Sequence, residues 1–61
     1  MSEPIRILIV DDSALMRQVI AGLLEQDPAL KVVGKARNGR EAIAMVEELR
    51  PDIVTMDVRM P

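Results

Sequence analysis

Three carboxylates in this 61-residue chain stand where chemistry could be done: the adjacent pair Asp11 and Asp12, which ends one apolar run, and Asp57, which ends another. Acids brought together disfavour one another's ionisation unless a cation or hydrogen-bond donors intervene, so such a grouping is costly without a purpose. A divalent cation is the simplest remedy. Oxygen ligation by a few carboxylates, a main-chain carbonyl and waters suits Mg²⁺, which keeps several waters and often shares its shell with a phosphoryl oxygen. The chain has no Cys and no His, which removes disulfides, thiol chemistry, Cys-ligated zinc and imidazole acid–base catalysis. A carboxylate is the nucleophile that remains, and carboxylates accept phosphoryl groups as acyl phosphates. A lone acid or hydroxyl after a strand more often does no more than cap a helix, as Asp11-Asp12-Ser13 could. A site becomes the better reading only if the fold brings Asp57 to the same place.

The elements that must do this are legible one by one. Ile5-Arg6-Ile7-Leu8-Ile9-Val10 is short and dominated by β-branched residues, which predicts a strand covered on both faces and hence central. Ser13 is placed to cap a helix whose apolar face is drawn by Leu15, Met16, Val19, Ile20, Leu23 and Leu24, with Pro28 ending it. A second strand, Lys31 to Ala36, carries two lysines and Gly34, which predicts an exposed edge position. Asn38 with Glu41 three positions later forms the capping-box pattern of a second helix, with Ala42, Ile43, Val46 and Leu49 as its buried stripe. Pro51 stops that helix, and Asp52 to Asp57 reads as a third strand.

Alternating β-α-β-α-β elements with short connections predict an α/β fold with a parallel sheet. With strand one central and strand two at an edge the order is 2-1-3, which puts a topological switch point at the carboxyl ends of strands one and three. Asp11, Asp12 and Asp57 all fall there.

Composition limits the alternatives. A net charge of −2 with no basic run argues against nucleic-acid binding. No segment reaches the ~20 apolar residues of a membrane span. Met1-Ser2-Glu3-Pro4 lacks the basic and cleavage features of a secretory leader, so a cytoplasmic location is expected. Hydrophobic residues make up 49% of the chain without one Phe, Tyr or Trp, and a domain this small hides only about 60% of its unfolded surface. Stability is therefore expected to be marginal. Gly34 and Gly39 lack the spacing of a phosphate loop, and Met16, Met45 and Met56 read as packing residues. Arg37, Arg40 and Arg50 with Glu41, Glu47 and Glu48 read as a solvated helix surface.

The run Ile7-Leu8-Ile9-Val10-Asp11-Asp12-Ser13, with Asp57 after a third strand and Met60-Pro61 beyond it, resembles the receiver domain of two-component response regulators. Asp11 to Arg17 together with Pro51 to Val58 is similar to one subgroup in particular, the receiver of the chemotaxis protein-glutamate methylesterase/deamidase. The resemblance implies that residues 1–61 are the first β-α-β-α-β half of a flavodoxin-like receiver fold, without its fourth and fifth strands and with no second domain. It implies that Asp57 is phosphorylated by a partner histidine kinase, and that Asp12 and Asp57 ligate Mg²⁺ directly. Asp11 would act through a bound water and Arg59 through its main-chain carbonyl. Receivers also use a Ser or Thr after strand four and a Lys after strand five, and they regulate an output such as a C-terminal methylesterase, so no enzyme activity is expected of these 61 residues themselves. Arg59 stands where the methylesterase subgroup usually carries an acid, which predicts weakened Mg²⁺ affinity.

Two other readings compete. Phosphatases of the haloacid-dehalogenase type also use a carboxylate nucleophile with Mg²⁺, but they need Asp-x-Asp, whereas Asp11 and Asp12 are adjacent. The other is an isolated or engineered half-fold without activity, whose open strand edge and apolar surface lead it to self-associate.

Overall fold

The computed structural model describes residues 3–56. Five elements follow in the expected order: β1 (Ile5–Val10), α1 (Ala14–Leu24), β2 (Leu30–Ala36), α2 (Gly39–Leu49) and β3 (Ile53–Met56). The three strands form one parallel sheet in the order β2-β1-β3. Ile7, Leu8, Ile9 and Val10 are all buried because β1 has a strand on each side and a helix over each face. Ile7 and Ile9 pack with Ala21, Ile20 and Leu24 of α1, whereas Leu8 and Val10 pack with Ala42 and Met45 of α2. Removing a Leu or Ile side chain from water in this way contributes about 1.5–3 kcal/mol each, so most of the stabilisation is concentrated in one strand.

Both helices start on the residues that their sequences indicate. Ser13 Oγ accepts from the Met16 N–H at 3.2 Å, and Asn38 Oδ1 accepts from the Glu41 N–H at 2.9 Å. Glu41 differs from a standard capping box by one position, since its Oε1 accepts from the Arg37 N–H at 3.0 Å. The first helix stops at Leu24, four residues before Pro28. Its last turn tightens into Gln26 N–H to Leu23 and Asp27 N–H to Leu24 bonds, and the Asp27 carboxylate then accepts from the Ala29 N–H at 2.9 Å. Local hydrogen bonding therefore ends α1 before proline can. Arg50 closes α2 in the left-handed region at φ 48°, and its carbonyl accepts from Arg6 Nη1 at 3.0 Å. Arg6 N–H also donates to Asp52 Oδ2 at 2.9 Å while Asp52 N–H donates to the Arg6 carbonyl at 2.8 Å. These bonds hold the entry of β3 beside β1 and set the register in which Val10 faces Met56.

Two expected faces are narrower than their apolar patterns. On α1 the contact with the sheet is made by Ile20, Ala21 and Leu24, while Leu15, Val19 and Leu23 are exposed. On α2 it is made by Ala42, Met45 and Leu49, while Ile43 is 66% exposed and Val46 is exposed as well. A three-stranded sheet is too narrow to cover the full width of either helix. Among the described residues β3 pairs with β1 alone, so its outer edge is open.

Gly34 has a different cause from the one its exposure-prone type suggests. A Cβ there would lie 2.8 Å from Leu49 Cδ1 and 3.1 Å from Leu8 Cδ1, so glycine leaves room for the ends of these two side chains between α2 and the sheet. The pairing of β1 with β2 also shifts between Ile7 and Leu8, which leaves Val33 as an extra residue and brings Gly34 opposite Leu8. Gly34→Ala is expected to lower stability by about 1–3 kcal/mol, read as an earlier urea midpoint at unchanged slope. A midpoint at or above wild type would mean that Leu49 swings aside without loss.

Candidate functional site

The carboxyl end of β1 is built by hydrogen bonds that run both ways across a three-residue turn. Asp11 N–H extends the ladder to the Ala36 carbonyl at 3.1 Å. The Asp11 side chain is 3% exposed, and its Oδ1 accepts from the Ser13 N–H at 2.9 Å. Arg17, one turn into α1, reaches back to donate from Nη1 to the Asp11 carbonyl at 2.6 Å. Asp11 is thereby pinned, and Asp12 next to it remains exposed. Among the described residues no hydrogen-bond donor engages either oxygen of Asp12.

Beside this pair lies a cleft of about 230 Å³ lined by Val10, Asp11, Asp12, Arg37, Asn38, Gly39 and Met56. Three segments meet there: the end of β1, the β2–α2 turn and the end of β3. Asp11 and Asp12, both expected at this switch point, are found there. Asp57 and Arg59, the other two expected site residues, lie outside the described residues, although Asp57 is the next residue in the chain after Met56. Among the described residues no three acidic, His or Cys side chains converge on one point. What is present is one pinned and one exposed carboxylate, hard oxygen donors whose chemistry fits Mg²⁺ better than a softer metal.

Arg17, Arg37 and Asn38 are site neighbours that periodicity did not single out. Arg17 lies off the apolar face of α1, and nothing in its helical position signals a bond to a carbonyl six residues back. Arg37 does pair with Glu41, as a surface reading expects: Nε and Nη2 are each 3.0 Å from Oε2. It nevertheless also lines the acidic cleft. Donation from the Arg37 backbone N–H, and then from its guanidinium, holds the Glu41 carboxyl below the usual carboxylate range. A lowered carboxyl pKa contributes stability above the unfolded value and loses it as pH falls through the folded value, so this contact operates fully at neutral pH.

A larger groove of about 500 Å³ runs between α2 and β3 and is lined by Ala42, Ile43, Val46, Val54 and Met56 among others. Its lining is apolar apart from Glu47, and among the described residues no polar groups converge there. Asp11 and Asp12 line the smaller cleft instead.

The family model of the response regulator receiver domain matches residues 7–61. The chain belongs to this family. A receiver is thus the frame for the acidic cleft, and a haloacid-dehalogenase phosphatase, being a different family, is set aside. The protein-glutamate methylesterase/protein-glutamine glutaminase 2 of Carboxydothermus hydrogenoformans is 60% identical over 57 residues, covering 93% of this receiver and 16% of that protein. The corresponding Pyrococcus horikoshii protein is 54% identical over 61 residues, covering 100% and 17%. This chain therefore spans only a small part of the length of the curated relatives it matches. Among solved structures, the response regulator domain of Thermotoga maritima CheB superposes with a TM-score of 0.90 at 49% identity, over 97% of this receiver and 44% of that chain. A chain from the complex of the P1 domain of CheA3 with CheY6 from R. sphaeroides superposes with a TM-score of 0.83 at 37% identity, over 98% and 47%. The truncated receiver fold expected from the β-α-β-α-β pattern and the likeness to the methylesterase subgroup are both borne out.

Proposed function

We propose that this chain is the phosphoacceptor part of a chemotaxis-type receiver, in which Asp57 takes a phosphoryl group from a histidine kinase. The observation that carries the reading is the pinned Asp11 and exposed Asp12 at the carboxyl end of the central strand, in a cleft that Met56, the neighbour of Asp57, also lines. Mg²⁺ would be held by Asp12 and Asp57 directly, by Asp11 through a water, and by the main-chain carbonyl of Arg59. Bound there, it supplies charge neutralisation for the phosphoryl group in transit. Asp57 forms an O–P bond as the P–N bond of the donor phosphohistidine breaks, and the imidazole leaves with the bonding pair. Ser13 and Arg17 keep the Asp11 turn from rearranging as charge builds up beside it.

The partner would be a kinase domain, and the likeness to a chain from the CheA3 P1 and CheY6 complex supports a protein donor. The sequence relatives support an output domain with methylesterase or glutaminase activity, which residues 1–61 would regulate as a single receiver unit rather than perform. We place the chain in the cytoplasm, where such donors are made. Among the described residues no helix is long and apolar enough to cross a membrane. In the intact protein, acetyl phosphate with Mg²⁺ is expected to add one phosphoryl group, and EDTA to stop the addition. Labelling that survives chelation would count against the metal.

A second reading rests on the apolar surface left open. Leu15 and Leu23 of α1, Ile43 of α2 and Ile53 of β3 are exposed, and among the described residues the outer edge of β3 is unpaired. The 61-residue chain on its own is expected to sediment as a dimer or larger species, and a compact monomer at high concentration would contradict this.

A further inference from the structure

Arg37 is the one cation among the described residues that line the acidic cleft, and it is held there in an unusual way. Glu41 binds it at both ends of one carboxylate: Oε1 accepts from the backbone N–H, and Oε2 accepts from the guanidinium, each at 3.0 Å. Glu41 is itself fixed, since its own N–H donates to Asn38 Oδ1 at 2.9 Å in the cap of α2. The Arg37 side chain is 68% exposed, so packing does not hold it in place and Glu41 does.

We propose that Glu41 is a positioning residue for the metal site, keeping the Arg37 guanidinium engaged at the start of α2 and so leaving Asp12 open to a divalent cation. The inference rests on the reading that Asp11 and Asp12 contribute to holding Mg²⁺. Arginine pairs with carboxylates in a planar, two-pronged geometry that occupies both oxygens. An Arg37 released from Glu41 would find Asp12 on the same cleft and compete with the cation for it. The pair thus sets how much of the acidic charge the metal sees.

The test is a titration of Mg²⁺ alone into the intact protein, comparing wild type with Glu41→Gln, Arg37→Ala, the double variant and Asp12→Asn. Glutamine at this helix position still accepts a backbone N–H, so Glu41→Gln keeps the cap while it loses the charge. Glu41→Gln is expected to weaken Mg²⁺ binding about three- to tenfold, as a charge beside the site does in a solvent-exposed setting. Arg37→Ala is expected to bind at least as tightly as wild type, and the double variant is expected to match Arg37→Ala. Unchanged affinity in Glu41→Gln overturns the proposal. An equal fall in both Arg37 backgrounds also overturns it, because the effect would then come from the Glu41 charge at a distance. Asp12→Asn separates the two levels: if it binds like wild type, the metal reading itself fails, whereas its loss of binding beside an unchanged Glu41→Gln sinks only the role of Glu41.

Discussion

Leu8→Ala is expected to remove about 2–5 kcal/mol of stability, enough to unfold much of the population of so small a domain. Leu8 is 0% exposed and lies in the middle of the central strand, with Val10, Ala36, Ala42 and Met45 around it. The surroundings cannot close over the vacancy easily. Both flanks of β1 are held by strand pairing, and α2 is already packed on the sheet through Ala42, Met45 and Leu49. The cost is therefore the lost transfer free energy together with a residual cavity. Ile43→Ala is the control on the same side of the sheet. Its side chain is 66% exposed, and its loss is expected to change stability by less than about 0.5 kcal/mol. Urea unfolding of the two variants checks both. A larger effect for Ile43→Ala than for Leu8→Ala would mean that α2 buries a different face in solution.

That contrast also marks how far the fold could be read from the residues. β1 announced itself because a strand buried on both faces leaves an uninterrupted apolar run, and its burial from Ile7 to Val10 follows the run. The strand order followed from one central and one edge strand. The helices were legible in position but not in width. Leu15, Val19 and Leu23, like Ile43 and Val46, carry the apolar period of a buried face, and periodicity cannot say how broad a sheet will meet them. The edge position that Gly34 and the lysines of β2 predict is borne out, but the contact at Gly34 is not legible, since a glycine in a strand signals weak strand propensity and close approach equally. Proline is an obvious stop, but α1 ends before it, at Leu24, in a tightened turn through Glu25 and Asp27 that has no comparable marker in the sequence.

The site divides in the same way. The acids at the ends of strands were legible because a strand that ends on carboxylates breaks an apolar pattern at a point the topology makes special. Asp11 and Asp12 are found where that reasoning puts them, and their division into pinned and exposed comes from a backbone turn that sequence does not specify. Arg17 and Arg37 were not legible as site neighbours. Their side chains bond the Asp11 carbonyl and the Glu41 carboxylate, and such contacts leave no period in the sequence.

The second large effect concerns Asp57. Asparagine has nearly the shape of aspartate but offers a neutral amide in place of the carboxylate nucleophile, so Asp57→Asn is expected to abolish phosphoryl transfer while the fold persists. Asp12→Asn removes an expected metal ligand and leaves the acceptor in place, so it is expected to slow transfer strongly and to raise the Mg²⁺ concentration required. The most direct measurement is intact-mass spectrometry of the wild-type protein and of Asp57→Asn after incubation with acetyl phosphate and Mg²⁺. One added phosphoryl group on wild type and none on the variant is the predicted result, and undiminished phosphorylation of Asp57→Asn would contradict the account.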